Sequence, residues 1–340
     1  MIDLNYKIKV LNELGIYISK ILNNKSQSTL DNLSVSMLDN NRWFDKKSIA
    51  YSFRAWSEIL KKDFIKKWLY KYQISSFKKK KTIALILPGN IPLVGFHDIL
   101  CIWILGYKGL IKLSSKDNVS IPFLTNYLEK KSKVKSFTYT DSIIKNFDAV
   151  IATGSNNSSI YFQYYFNKYP NIIRKNRTSI AVLDGNETEI DLKNLGKDIL
   201  LYFGLGCRNV SKIYIPKGFD LNKVFKGLET FSYIIKNSKY ANNYDYNKSI
   251  FLINQDSFLD NGFFILKESS KIYSPISCAF YEYYENKKDL KNKLHLIKND
   301  LQCIVSKSII IKGTLFGNSQ NPSLEDYADN IDTIEFLMNI

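Results

Sequence analysis

The chain has 340 residues, 45% of them hydrophobic, with 23 Tyr and 21 Phe but only 15 Gly and 7 Pro. That is apolar surface enough for one large core or two joined lobes, and it excludes a disordered or fibrous chain. The formal net charge of +16 raises a polyanion partner, yet Lys is scattered beside abundant Asn, Ile and Tyr, the mix that a coding bias toward A and T produces.

No stretch reaches the roughly 18 apolar residues of a membrane-spanning helix; the nearest, 91–106, is broken by His97 and Asp98. The opening M-I-D-L-N-Y-K-I-K-V lacks the basic, apolar and small-residue order of a secretion signal. A cytoplasmic protein with no membrane span is expected. The four cysteines, at 101, 207, 278 and 303, form no CxxC pair. Cys101, Cys278 and Cys303 lie in apolar runs and read as buried, and no disulfide framework is expected. With two distant histidines and scattered cysteines, no metal is expected either.

In chain order, residues 1–24 carry Leu11, Leu14, Ile18 and Ile21 at helical spacing, followed by a polar loop through Asn32. A second helical pattern spans 46–72, with Trp56, Ile59, Leu60 and Trp68. The Lys run 78–81 reads as a solvated connector. Strands are expected at 82–87, 109–113, 137–139, 149–152 and 179–183, with helices at 97–105, 121–130 and around 160–166. That alternation implies a parallel α/β sheet, whose ligands bind beyond the carboxyl ends of its strands. After residue 207 a second α/β block is expected, with strands at 212–215, 250–253, 278–281 and 308–312 and a helix over 288–300.

Three segments carry chemistry. Residues 202–210 read Y-F-G-L-G-C-R-N-V, placing Cys207 after two glycines at the expected junction of the two blocks, with Arg208 beside it. A thiol whose thiolate is favoured by nearby positive charge or helix-terminus amides is a nucleophile; the alternative is a structural turn around a buried Cys. Residues 87–93, L-P-G-N-I-P-L, put Asn90 just past the first strand, where its amide either donates to a thioester oxyanion or caps the next helix. Residues 151–155, I-A-T-G-S, follow another strand and open a helix, a start suited to a phosphate. No GxGxxG follows a strand, so the usual dinucleotide fingerprint is missing.

Together and in this order, the segments resemble the bacterial fatty acyl-CoA reductases of the luminescence type, a branch of the aldehyde dehydrogenase superfamily. The stretches that carry the resemblance cover nearly the whole chain: N-R-W-F at 41–44, N-I-P-L-V-G-F-H-D at 90–98, K-L-S-S-K-D at 112–117 and A-T-G-S-N-N at 152–157. R-K-N-R at 174–177, G-L-G-C-R-N-V-S at 204–211, F-G-N-S-Q-N-P at 316–322 and D-Y-A-D at 326–329 continue it. The resemblance implies an α/β, aldehyde dehydrogenase-like fold: N-terminal helices and a Rossmann-type cofactor lobe over 1–205, a smaller α/β catalytic lobe over 206–315, and a tail over 316–340 returning to the cofactor lobe or a partner subunit.

It also implies Cys207 as catalytic thiol and Asn90, with the thiol's own backbone amide, as oxyanion donors. Lys112 matches the lysine of a K-P-S-E motif that reaches the adenosine ribose or its phosphate, with Leu113 in place of the proline. Ser114, Thr153, Gly154, Ser155 and Gly185 complete the implied cofactor set, and the cofactor is NADPH. His97 is either a proton relay or a packed helix residue. V-L-D-G at 182–185 stands for the superfamily's E-L-G-G, so its general-base glutamate becomes Val182. Lys271, ahead of I-Y-S-P at 272–275, stands where a ribose-binding glutamate is expected.

The expected reaction takes a long-chain acyl-CoA to its aldehyde through an acyl group carried on Cys207. A CoA-acylating dehydrogenase of short acyl chains is the near alternative, and a basic nucleic-acid-binding protein the distant one. An acyl-CoA substrate, no nucleic acid and an open question of homo-oligomerisation follow.

Overall fold

The computed structural model describes residues 3–23, 28–74, 80–308, 311 and 313–340. The chain divides into two compact units, Met1–Asn176 with Ser323–Ile340, and Arg177–Pro322.

The first unit opens with helices α1 (Leu4–Asn23), α2 (Ser28–Asn40), α3 (Lys46–Ile59) and α4 (Lys62–Leu69). The expected loop through Asn32 is already α2: Leu33 and Met37, four residues apart, are its buried face. Asp45 caps α3 reciprocally with Ser48. There follow β1 (Thr82–Ile86), α5 (Phe96–Leu105), β2 (Lys108–Lys112), α6 (Ser120–Ser132), β3 (Phe137–Tyr139), β4 (Ala149–Thr153), α7 (Asn156–Phe166) and β5 (Asn171–Arg174). The five strands form a parallel sheet in the order β3-β2-β1-β4-β5. Alternate residues of β1 and β4 face opposite ways: Ile83, Leu85, Ala149 and Ile151 join the main core, while Ala84, Val150 and Ala152 pack with Phe162 and Phe166 of α7. A strand buried on both faces reads as a continuous apolar run, which is why β1 and β4 were legible.

The second unit holds β6 (Thr178–Val182), α8 (Glu189–Leu200), β7 (Val210–Pro216), α9 (Asn222–Leu228), α10 (Ser238–Ile253), β8 (Leu259–Asp260), β9 (Ile265–Glu268), β10 (Cys278–Tyr284), α11 (Lys287–Ile297) and β11 (Leu301–Val305). Its six strands run β11-β6-β7-β10-β9-β8, parallel except for the short β8–β9 pair. Lys212 on β7 is fully buried; its ammonium donates to Ser269 O (3.0 Å) and Ser270 O (2.9 Å) and pairs with Glu282. It thereby ties the β9–β10 connection to the sheet, since a buried ammonium must have partners.

Several expectations give way here. Residues 250–253 end α10: Tyr240, Tyr244, Asn247 and Phe251 are buried at helical spacing from an Asn237 cap, so a local apolar run mimicked a strand. Of the expected strand 308–312, residues 309, 310 and 312 lie outside the described residues; the strand found in this region is β11. Of the Lys run 78–81, residues 78 and 79 also lie outside them. The units divide at Asn176/Arg177, where the sequence placed a change at 205/206, because β6 pairs with β7 and β11.

The chain returns to the first unit at Ser323, ending in α12 (Thr333–Met338). Tyr327 accepts from Trp68 Nε1 (2.7 Å) and shares a hydrogen bond with Tyr72 OH (2.7 Å), which donates to Asp332 (2.5 Å). Arg174 holds Asp98 through two hydrogen bonds, 2.5 and 3.0 Å, and reaches Thr333 Oγ1 at 3.2 Å. Asp98 and Arg174 are both buried. Burial pushes the Asp98 carboxyl up, but the Arg174 charge and hydrogen bonds outweigh it and hold it below the ordinary carboxylate range.

Candidate active site

In the first unit, six of the residues singled out from the sequence gather at the carboxyl ends of three neighbouring strands: Asn90 after β1, Lys112 and Ser114 at the end of β2, and Thr153, Gly154 and Ser155 at the end of β4. That is where open parallel sheets bind ligands. Asn90 is exposed, and it does not cap α5, whose N-cap is Gly95 without a side-chain bond. Its loop is held from several sides. Asn41 Nδ2 donates to Gly89 O at 3.0 Å, and Ser52 Oγ to Pro92 O at 2.9 Å. Leu93 sits at φ 60°, a left-handed conformation unusual for a branched residue, with its N–H on Asp117 Oδ2 at 3.2 Å. A Cβ on Gly89 would meet Ser114 Oγ at 2.7 Å, so that glycine lets the two loops touch. Asp117 also accepts from Ser120 N (3.2 Å) and Oγ (2.7 Å); burial raises its carboxyl despite these bonds.

Lys112 Nζ donates to Asp141 O at 3.2 Å. Ser155 caps α7, its Oγ accepting from Ser158 N at 3.2 Å. Gly154 has a packing reason: an added Cβ would lie 2.8 Å from Ser158 Cβ and 2.9 Å from the Phe162 ring. Together the set offers a lysine ammonium, three hydroxyls and the start of an eleven-residue helix at one sheet edge, chemistry that fits the ribose and phosphates of a dinucleotide.

His97 is placed by packing. Its Nε2 lies 3.0 Å from Leu324 O, its Nδ1 3.9 Å from Cys101 Sγ, and its ring lies against Trp68 and Tyr327. These contacts favour the packed-residue reading over the proton relay.

Cys207 lies in the second unit, in the loop between α8 and β7, and is exposed. The loop begins with Tyr202, Phe203 and Gly204 at φ 54°, 57° and 78°. Two successive aromatic residues in left-handed backbone cost about 1–3 kcal/mol each. Both side chains are buried, which offsets the cost and holds the loop in one shape. Backbone strain held in place in this way concentrates at functional sites. Ser179 Oγ donates to Cys207 O at 2.9 Å. Arg177, on the same approach to β6, donates from Nη1 to Leu301 O at 3.1 Å. Neither Ser179 nor Asn209, which braces the loop, stood out in the sequence, because a Ser in a strand and an Asn in a turn are commonplace.

Cys207 precedes the amino end of β7, whereas Gly185 follows the carboxyl end of the parallel strand β6. They therefore stand at opposite ends of one sheet. Gly185, at φ 95°, gives its N–H to Glu187 Oε2 (3.1 Å), and Asp184 gives its own to Oε1 (2.7 Å), so V-L-D-G is a turn closed by its own carboxylate. Matching Val182 to the general-base glutamate fails on the same ground: Val182 is buried at the end of β6 away from Cys207. The segment that leads into the Cys207 end of β6 is R-K-N-R, 174–177. I-Y-S-P also reaches that end, since Ile272 O accepts from Ser211 Oγ at 2.5 Å; Lys271 is exposed.

Solved structures of aldehyde dehydrogenases share the fold of this chain. Aldehyde dehydrogenase 21 from Physcomitrella patens, in complex with the reaction product succinate, superposes with TM-score 0.70 at 12% identity, covering 100% of this chain and 84% of that one. A variant of aldehyde dehydrogenase C from Pseudomonas syringae, complexed with NAD+ and octanal, gives 0.63 at 10% identity over 90% and 72%. An NAD+ complex of aldehyde dehydrogenase from Bacillus cereus gives 0.60 at 13% over 91% and 73%. The chain has the aldehyde dehydrogenase fold. At these identities the likeness reaches the fold alone. No family model matches the sequence. Protein Ycf2 of Physcomitrium patens is 23% identical over 229 residues, 62% of this chain. The chain spans only 10% of that protein's length.

Among the described residues of this fold, no three His, Cys, Asp or Glu side chains gather to hold a metal ion, and no helix is long and apolar enough to cross a membrane. The cysteines differ sharply in access. Burial pushes the Cys101 thiol well up and the Cys278 thiol to about 12, while Cys303, half-buried where the sequence suggested full burial, lies 3.0 Å from Ser179 Oγ. Iodoacetamide near neutral pH is therefore expected to alkylate Cys207 about tenfold faster than any other cysteine. Peptide mapping by mass checks this, and even labelling of two or more sites contradicts it.

Proposed function

We propose that this protein is an acyl-CoA reductase that carries the acyl group on Cys207 and uses a nicotinamide dinucleotide, NADPH in the first instance. The observation that carries the reading is the exposed thiol on a strained, side-chain-braced loop of an aldehyde dehydrogenase fold. Support for the cofactor comes from the NAD+ complexes among the similar structures and from the donor set at the carboxyl ends of β2 and β4. Lys112, as a cation at the end of β2, suits a ribose phosphate.

In this reading the Cys207 thiolate attacks the thioester carbonyl. The oxyanion is steadied by the thiol's own backbone amide, as the resemblance implies. Collapse expels the CoA thiolate and leaves the acyl group as a thioester on Sγ. A bound reduced nicotinamide supplies the hydride that lowers the acyl group to the aldehyde oxidation level. The resulting thiohemiacetal on Cys207 breaks its C–S bond, freeing the aldehyde and returning the thiol.

The test is oxidation of NADPH and of NADH across acyl-CoAs from acetyl to octadecanoyl. Each methylene buried on binding contributes about 0.8 kcal/mol, so a long-chain enzyme favours long over short substrates by orders of magnitude in kcat/KM. A flat or inverted profile favours the short-chain CoA-acylating dehydrogenase, and no turnover with any chain overturns the proposal.

A further inference from the structure

The Cys207 loop is held by two buried side chains. Asn209 is 3% exposed. Its Nδ2 donates to Leu201 O at 2.6 Å, with Ile199 O at 3.3 Å and Asp198 O at 3.4 Å, the carbonyls that α8 leaves unpaired where it ends. Its Oδ1 accepts from Gly206 N at 2.8 Å, and its backbone N–H donates to Gly206 O at 3.0 Å. One amide thus joins the start of the loop to the residue immediately before the nucleophile. From β6, Ser179 Oγ donates to Cys207 O and accepts from Cys303 N at 3.2 Å. Both contacts are made with groups on either side of the sulfur, and neither touches the sulfur itself.

We infer that Asn209 and Ser179 are positioning residues, which fix the peptides flanking Cys207 and so set how its sulfur is presented to an incoming thioester. The left-handed run at 202–204 would relax if released, and the Asn209 amide is the bond that opposes that release across the loop. Ser179 holds the nucleophile's carbonyl, and with it the direction of the adjoining amides. Misplacement of a reacting group by about 1 Å lowers a rate on the order of a hundredfold. Loosening either contact therefore lowers the reactivity of the thiol, while the capture of acyl-CoA, which depends on other surfaces, is unchanged. The inference rests on the proposed role of Cys207.

The experiment uses the full chain with Asn209→Ala and Ser179→Ala, both uncharged so that no new field acts on the thiol. Two readouts are taken: the rate of Cys207 alkylation by iodoacetamide as a function of pH, and the rate of acyl transfer from a long-chain acyl-CoA as a function of its concentration. Asn209→Ala is expected to lower both rates about tenfold or more and to displace the pH midpoint of alkylation. Ser179→Ala is expected to lower them by about threefold, with the half-saturating acyl-CoA concentration unchanged within about twofold in both variants. Alkylation profiles that superimpose on the parent's in the folded variants overturn the inference, as does a change confined to half-saturation. Should Asn209→Ala not fold, Ser179→Ala, which removes one oxygen atom, carries the same test. If the parent takes no acyl group but its alkylation still depends on the clamp, the acyl-CoA reading fails and the clamp stands. If the parent takes the acyl group and both variants match it, the clamp fails alone.

Discussion

Replacing Cys207 by Ala is expected to lower acyl-CoA reduction by about four orders of magnitude or more, the scale on which removal of a covalent nucleophile acts. The same change is expected to shift stability by less than about 0.5 kcal/mol, because the side chain is exposed and the backbone carbonyl that Ser179 engages is retained in alanine. Steady-state kinetics and urea unfolding of the same preparation separate the two effects. A loss of activity that merely tracks a loss of stability would mean that the thiol serves the turn and not the chemistry.

The second large effect concerns the buried pair Arg174–Asp98. Arg174→Met leaves a carboxylate buried with only Thr333 Oγ1 at 3.3 Å and no cation, a loss of about 3–5 kcal/mol in urea unfolding. Replacing both partners, Asp98→Leu with Arg174→Met, is expected to return most of that loss, since the desolvation cost of both charges then disappears. A double variant as weak as the single one would contradict the account. The pair also sets an acid limit. The Asp98 carboxyl is held below its ordinary value of 3.8 in the folded chain, so its contribution is complete above that value. As pH falls through the lowered folded value, the carboxylate protonates and the contribution is lost. In Arg174→Met the guanidinium is missing, and burial is opposed only by the weaker effects of His97 and the Thr333 hydrogen bond, so the acid transition is expected at higher pH.

The parts of the fold legible in the sequence are those where burial is one-sided or complete over several residues. β1, β4 and β6 are continuous apolar runs, and α1 and α5 carry apolar spacing or length that no strand has. What escaped has a physical reason in each case. β5 (N-I-I-R) and β9 (I-L-K-E), four residues each, set two adjacent apolar residues beside polar ones and are too short for a period to show. The strand-like end of α10 is helical because Tyr240, Tyr244 and Phe251 share one buried face extending well upstream of 250.

The site divides in the same manner. Cys207 and Asn90 were visible because glycines and prolines mark the turns that present them. Ser179 and Asn209 were not, because their importance comes from hydrogen bonds to backbone groups that no side-chain pattern records. The V-L-D-G correspondence misled for a geometric reason: a four-letter match says nothing about which end of a strand it occupies. Several stretches of the resemblance prove to hold the fold together. Asn41 braces the Asn90 loop, Arg174 pairs with Asp98, and Tyr327 joins the tail to α4. In the 316–322 stretch, Gly317 N and Ser319 N bond Asp198 at 2.6 and 3.0 Å.

The claim that the acyl group rides on Cys207 is tested most directly by incubating the protein with a radiolabelled long-chain acyl-CoA in the absence of any nicotinamide, then locating the label. The account predicts one hydroxylamine-labile acyl group per chain, on the peptide containing Cys207, lost as aldehyde when NADPH is added and missing in Cys207→Ala. Equal labelling of the parent and Cys207→Ala, or label that NADPH cannot release as aldehyde, would contradict it.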